Sequence, residues 1–170
     1  MTQTQEAVRS RTFSWTDPAA QAGLIMRSSG AELMQAMLNG EVAPPPIMQL
    51  VGVTGMTATE DQVTFYLDPQ EYHYNLIGSV HGGIIATMLD SAAACAVHAQ
   101  LPAGTGYTSL DLNVKFLRAV TLDTGPLTIS GHVLQKGRRT ALAEARMTDE
   151  RGRLLAHATS SCLLFDIPAA

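Results

Sequence analysis

The sequence predicts an α+β fold in which an antiparallel β-sheet wraps around one long central helix. Three observations carry that expectation. An apolar, alanine-rich run from Gly82 to about His98 is bounded by a glycine pair and a Leu101-Pro102-Ala103-Gly104 breaker. Segments of alternating hydrophobicity follow it, separated by turn residues. Ala86, Ala92, Ala93, Ala94 and Ala96 keep the helix thin, so a sheet can pack closely against it.

The elements follow in order. Residues 1 to about 28 read as a weakly structured arm, with Phe13 and Trp15 as candidate docking anchors. Ser28-Ser29-Gly30 offers capping residues for a short helix ending near Asn39-Gly40. Pro44-Pro45-Pro46 is an extended linker that stops any helix, which sets a boundary between residues 1–46 and 47–170. Strands are expected over residues 48–59 and 62–67, the second ended by the Asp68-Pro69 turn. After the helix come strands over 108–120, 127–136, 140–148 and 154–165, running as a meander. Gly137-Arg138 and Asp149-Glu150-Arg151-Gly152 read as hairpin turns. Such a sheet leaves an edge strand, and pairing of edges across a two-fold axis is the natural solution.

Composition narrows the function classes. A chain of 170 residues, 46% hydrophobic and 15% charged, fits one globular domain with a proper core. No apolar run looks long enough to span a bilayer, and Met1-Thr2-Gln3-Thr4-Gln5 lacks the basic and apolar regions of a signal peptide. The expectation is a cytoplasmic protein without a membrane partner. A net charge of −4 argues against a general nucleic-acid binder, and residues 1–40 hold no basic recognition helix. Six of the 11 basic residues nevertheless fall between Lys136 and Arg153. Cys95 and Cys162 sit in apolar surroundings without metal-type spacing and read as buried free thiols, although spacing alone leaves a disulfide open.

The chemistry concentrates around the start of the central helix. Glycines there let a ligand approach free backbone N–H groups, and the helix dipole favours negative charge, so Gly82 or Gly83 can polarise a carbonyl. The alternative is that they only permit close helix–sheet packing. Asp90 is a carboxylate inside an apolar helix, which is costly unless it has a role or a partner. It is either an acid/base group or a buried Asp bonded to Ser91, Thr87 or a strand. It lies seven residues past Gly83, about 10 Å along the axis. An acid/base group must come within about 3 Å of its proton. One chain's Asp90 therefore does not reach a carbonyl at its own helix start, whereas two antiparallel helices in a symmetric dimer would give two shared sites.

Asn75 carries a donor and an acceptor and can share the carbonyl with Gly82. His81 is read as orienting the loop rather than titrating. Ser109 can help Asp90 hold a water, or serve structure alone. Lys136, Arg138 and Arg139 around Gly137, with Arg118, can meet phosphates or form a solvated basic turn. His73, His98, His132 and His157 show no metal-ligand spacing and are assigned nothing. There is no nucleophile elbow, P-loop or dinucleotide fingerprint.

This ordered set resembles the PaaI-type acyl-CoA thioesterases of the hotdog superfamily over roughly residues 47–166. The resemblance is carried by Asn75, His81-Gly82-Gly83, Asp90 and the run Tyr107 to Arg118. Gly131 to Arg139 and Asp149 to Ala156 complete it. It implies hydrolysis of a coenzyme A thioester in a homodimer, often a dimer of dimers, with no metal or redox cofactor. By resemblance, the Gly82 N–H and Asn75 polarise the thioester carbonyl. Asp90 of the facing subunit acts as general base or nucleophile, and Ser109 helps place the water. Gly83, Arg118, Lys136, Gly137, Arg138 and Arg139 bind the coenzyme A part. The acyl group stays open between aromatic and medium-chain aliphatic, with Ile84, Met88 and Phe116 as candidate pocket residues. Two other readings compete: a hydratase or dehydratase on the same fold, and a non-catalytic acyl-CoA-binding protein. The first needs the His and acid to converge on the acyl chain. The second predicts loss of Asp90 or Asn75, and both are present.

Overall fold

The computed structural model describes residues 8–21 and 23–168. A turn at Pro18–Gln21 leads to helices α1 (Leu24–Arg27), α2 (Gly30–Leu38) and α3 (Pro46–Val51), then strands β1 (Val53–Ala58) and β2 (Val63–Leu67). The central helix α4 spans Gly82–Ala99. Five strands follow: β3 (Thr105–Ser109), β4 (Asn113–Phe116), β5 (Leu127–Lys136), β6 (Thr140–Asp149) and β7 (Leu154–Asp166). All pair antiparallel in one sheet of order β1-β2-β5-β6-β7-β3, with β4 also on β7. The meander therefore holds only for β5–β7. Between β2 and β3 the chain crosses along α4 to the opposite edge of the sheet.

Period-two alternation turns one face of the sheet onto the helix. Leu127 and Ile129 of β5, Ala141, Ala143, Ala145 and Met147 of β6, and Val63, Phe65 and Leu67 of β2 are all buried. They meet Met88, Leu89, Ala92, Ala93 and Val97 of α4. The approach is closest at Gly131, where an added Cβ would lie 2.1 Å from the Ala92 carbonyl oxygen. Backbone touches backbone there. At 18 residues α4 is, contrary to the sequence expectation, long and apolar enough to cross a membrane by length and composition. The sheet takes up its apolar faces instead, as it does for the core helix of a globular domain. Cys95 and Cys162 are both free thiols.

Three further expectations need correction. The stretch 48–59 is not one strand, because Pro46 takes the first helical position of α3, where a missing N–H costs nothing. Gly52 then ends α3 at φ +87° before β1 begins. The expected strand 108–120 is broken at residues 110–112, where Asp111 takes over the ladder. Its Oδ1 accepts from the Ser161 N–H at 3.0 Å and its carbonyl from Ser160 Oγ at 2.8 Å. Finally, Phe13 and Trp15 stack on each other at 5.5 Å and stay partly exposed. The docking anchor of the N-terminal segment is Arg11. Its guanidinium donates to the Leu50 and Gln49 carbonyls, each at 2.6 Å, and lies 4.2 Å from the Tyr72 ring centroid.

The helix at 30–38 forms as the capping residues predict. Ser29 Oγ accepts from the Glu32 N–H, and Glu32 Oε2 accepts from the Ser29 N–H at 2.7 Å, a reciprocal capping box. Helix α2 lies against the end of α4. The Gly30 N–H donates to the Leu101 carbonyl at 2.9 Å, and a Cβ on Gly30 would sit 1.7 Å from the His98 carbonyl oxygen.

Candidate active site

The start of α4 resolves which of its two glycines is free. His81 is the N-cap, and its Nδ1 accepts the Gly83 N–H at 2.8 Å. That proton is spent on the cap. The N–H groups of Ile84 and Ile85 both turn back to the His81 carbonyl. Among the described residues, the Gly82 N–H has no partner. It is the unpaired donor at the positive end of a five-turn helix. The Phe116 ring stands over Gly82, 3.2 Å from where a Cβ would be. Ser79, Leu117 and Arg118 complete a hollow of about 280 Å³ beside it.

Asn75 is placed next to this end of the helix by its loop, but its side chain serves the loop. Its Oδ1 accepts from the N–H groups of Ile77 at 3.0 Å and Ser79 at 3.3 Å, and its Nδ2 donates to Ser79 Oγ at 3.2 Å. Within one chain Asn75 holds the 75–79 turn, and its side-chain bonds go to Ile77 and Ser79 rather than to Gly82. That turn carries Leu76 and Ile77 almost fully in the open.

Asp90 lies eight residues further along α4 and is half-buried. Ser109 Oγ at the end of β3 donates directly to its Oδ1 at 3.0 Å within one chain, the strand partner among the alternatives for Asp90. Ser91 and Thr87, the other candidate partners of Asp90, are engaged elsewhere. Ser91 Oγ bonds the Thr87 carbonyl and Thr87 Oγ1 bonds the Gly83 carbonyl. From Gly82 to Asp90 the axial rise is about 12 Å. The helix-start donor and the carboxylate of one chain thus remain separate, as the spacing requires.

The basic turn lies at the other end of α4. The Gly137 N–H closes the β5–β6 hairpin on the Thr140 carbonyl, and Lys136 Nζ donates to the Gln100 carbonyl at 2.8 Å, on the C-cap of α4. A cation there suits the negative end of the helix dipole. Arg138 and Arg139 line a groove with Pro102, Thr105 and Phe165. Arg118 does not join them; it stands at the Gly82 end, and α4 separates the two positions by about 27 Å along its axis.

A cavity of about 670 Å³ lies where sequence reasoning placed nothing. Helices α1–α3 roof it, β1 and β2 form one wall, and Cys95, His98 and Tyr107 form another. Of the expected pocket residues, Met88 is sealed in the core and Phe116 covers Gly82; neither they nor Ile84 line this cavity. Burial, and then the nearby Asp90 charge, pushes the Cys95 thiol up to about 12, so it is no nucleophile. The cavity was hidden because its roof comes from the segment that reads as arm, short helix and linker, with nothing in it to show what it packs over.

Residues 77–156 match the family model described as the thioesterase superfamily. The chain is 28% identical over 105 residues to mouse acyl-coenzyme A thioesterase 13, covering 61% of this chain and 74% of that protein. The human protein of that name is 29% identical over the same shares. Among solved structures, a phenylacetic acid degradation-related protein from Ralstonia eutropha JMP134 superposes with a TM-score of 0.69 at 27% identity, covering 76% of this chain and 98% of that one. The sheet wrapped around α4 is a hotdog fold, residues 77–156 match the thioesterase superfamily model, and these similarities support a thioester hydrolase.

Proposed function

We propose that the chain is an acyl-CoA thioesterase whose site is completed by a second copy of itself. The observation that carries this reading is the division of labour along α4. A free Gly82 N–H stands at the helix start, and a Ser109-bonded Asp90 lies about 12 Å away on the same rigid element. Antiparallel pairing of two α4 helices sets each Gly82 opposite the partner subunit's Asp90. The exposed Leu76 and Ile77 beside Gly82 supply apolar surface for that contact.

In the reaction the thioester carbonyl lies against the Gly82 N–H, where developing negative charge is stabilised by the donor and the helix dipole. The partner subunit's Asp90 takes a proton from water as water attacks, or attacks the carbonyl itself. Its Ser109 bond holds the carboxylate in place. The tetrahedral intermediate then expels coenzyme A thiolate. Asn75 supports the carbonyl site by holding the loop and offers its second amide hydrogen to the substrate. Opposite-end placement of Lys136–Arg139 fits the same antiparallel pairing, because one subunit's basic turn approaches the other's helix start. The arginines would pair phosphates there. Hydrolysis by this route calls for no metal or redox cofactor.

The test has two parts. Thiol release from a panel of acyl-CoA substrates should fall at least about a hundredfold in Asp90→Asn, roughly 2.7 kcal/mol of barrier. Subunit sharing is read by mixing Asp90→Asn with Gly82→Pro. A hybrid dimer then holds one site with both wild-type groups, so random pairing should restore about a quarter of wild-type sites. Mixing that restores nothing would place both groups in one subunit. Binding of acyl-CoA without thiol release would move the protein to the non-catalytic reading.

A further inference from the structure

One buried imidazole stands between α3 and the start of α4. His73 closes the short turn Glu71–His73 that precedes the Asn75 loop. The Gln70 N–H donates to its Nδ1 at 3.0 Å, so Nδ1 is the acceptor and the ring proton sits on Nε2. Nε2 then donates at 2.7 Å to the carbonyl of Val51, the last residue of α3. Burial, aided by the Arg11 charge, lowers the His73 pKa against the pull of the Val51 carbonyl, and the ring is neutral at pH 7. Both ring nitrogens are used, and one of the two bonds leaves the turn for another element.

The same residue reaches the helix start through its backbone. Its carbonyl accepts the N–H of His81, the N-cap of α4, at 2.8 Å. Tyr74 pairs with Val80, and the Asn75 N–H donates to the Ser79 carbonyl at 2.8 Å. Residues 73–81 therefore close as a hairpin with His73 and His81 at its base. That hairpin carries Asn75 and ends one residue before the free Gly82 N–H. The imidazole is also held from the side, edge-on to the Tyr72 ring at 4.5 Å, with the Arg11 guanidinium on Tyr72 in turn. Arg11 takes the Gln49 and Leu50 carbonyls, so two side chains from outside α3 satisfy three successive carbonyls at its end.

We infer that His73 is a positioning residue of the thioester site: its bond to the Val51 carbonyl sets where the 73–81 hairpin presents Asn75, His81 and the Gly82 N–H to the substrate carbonyl. The inference rests on the thioesterase reading and adds a residue to its site. A leucine would fill the same space, but packing alone does not fix a direction as a hydrogen bond does. Donors to a developing oxyanion act only when they are held in place beforehand, by groups that are themselves locked. Here the lock is a chain of bonds from the end of α3, through the His73 side chain and carbonyl, to the residue before Gly82. A misplacement of about 1 Å at such a site costs on the order of a hundredfold in rate.

The experiment measures kcat and KM on one acyl-CoA that wild type hydrolyses, for His73→Leu, His73→Gln and His73→Asn, at a temperature where circular dichroism shows each variant folded. Glutamine places an amide N–H near the position of Nε2 and can keep the bond to Val51. Asparagine, one methylene shorter, can accept only the local Gln70 N–H. His73→Leu should lower kcat by about tenfold to a hundredfold with KM within about twofold. His73→Gln should recover most of that loss, and His73→Asn should not. Unchanged kcat in His73→Leu, a loss that falls on KM alone, or equal recovery by asparagine would overturn the inference. Should His73→Leu fail to fold, the glutamine and asparagine pair decides by itself. If wild type releases thiol from no acyl-CoA, the thioesterase reading fails, and hydrogen exchange at the His81 amide tests the lock alone. Exchange about tenfold faster in His73→Asn than in wild type and His73→Gln supports it, and one rate in all three overturns it.

Discussion

Replacing Gly82 by Pro removes one hydrogen atom from the candidate site and leaves the scaffold standing. Proline suits the first position of a helix, and the residue before it must be extended. His81 already has φ −60° and ψ 135°. No hydrogen bond is lost, because the Gly82 N–H has no partner among the described residues. The added Cβ meets the Phe116 ring at 3.2 Å, and Gly82→Ala introduces the same contact while keeping the N–H. The pair therefore isolates the donor. Loss of one oxyanion donor costs about 2.7–4 kcal/mol, or 10²–10³ in kcat. Gly82→Pro should thus fall by about that factor below Gly82→Ala in thiol-release assays, with thermal midpoints that agree or favour proline. Equal kcat in the two variants would refute the assignment of Gly82 as the donor.

Other outcomes follow from the geometry. Ser109→Ala removes the bond to Asp90 at 3.0 Å and should lower kcat about tenfold with little change in KM, read by the same assay. Gly131→Ala drives a Cβ into the Ala92 carbonyl, backbone on both sides, and should cost about 3 kcal/mol, the upper end for overpacking. For a chain of this size that is a drop of about 6–12 °C in Tm; a shift near zero would contradict the contact. Burial pushes the Asp149 carboxyl up, but the Arg153 and Arg151 N–H groups and the Arg153 guanidinium outweigh it and hold it below the usual carboxylate range. Its contribution is complete above about pH 4 and is lost as the pH falls further. Asp149→Asn should accordingly lose less stability than wild type on acidification to about pH 3 in chemical denaturation.

What was legible in the sequence was local and periodic. Helix α4, the β5–β7 meander and the Ser29 cap each have a signal within one element, and the observed elements follow it to within a residue or so. The Asp90–Ser109 pair was also foreseeable, since strand and helix had to meet once a sheet wrapped the helix. The misses were non-local. Alternation could not show that β3 and β4 break where Asp111 bonds β7, because that bond lies 50 positions away. Nor could a proline run distinguish a linker from the first turn of α3. The cavity lined by His98 and Tyr107 was not legible because its roof is drawn from distant positions between Gln21 and Gln49, and lone histidines carry no spacing signal. The residues alone left Gly82 and Gly83 open and the resemblance pointed to Gly82; the direction of the His81 ring, which takes the Gly83 N–H, could not be read from either.

The backbone contact at Gly131 separates what this domain is free to vary from what it is not. Where β5 lies against Ala92 and Ala93 there is no room for a methyl group, so the sheet side of α4 is closed to innovation. Change is open on the opposite side, where helices of four to nine residues cover a cavity with exchangeable methionines and leucines. A lineage can reshape that cavity by editing the roof while Gly82 and Asp90 ride unchanged on the helix beneath it.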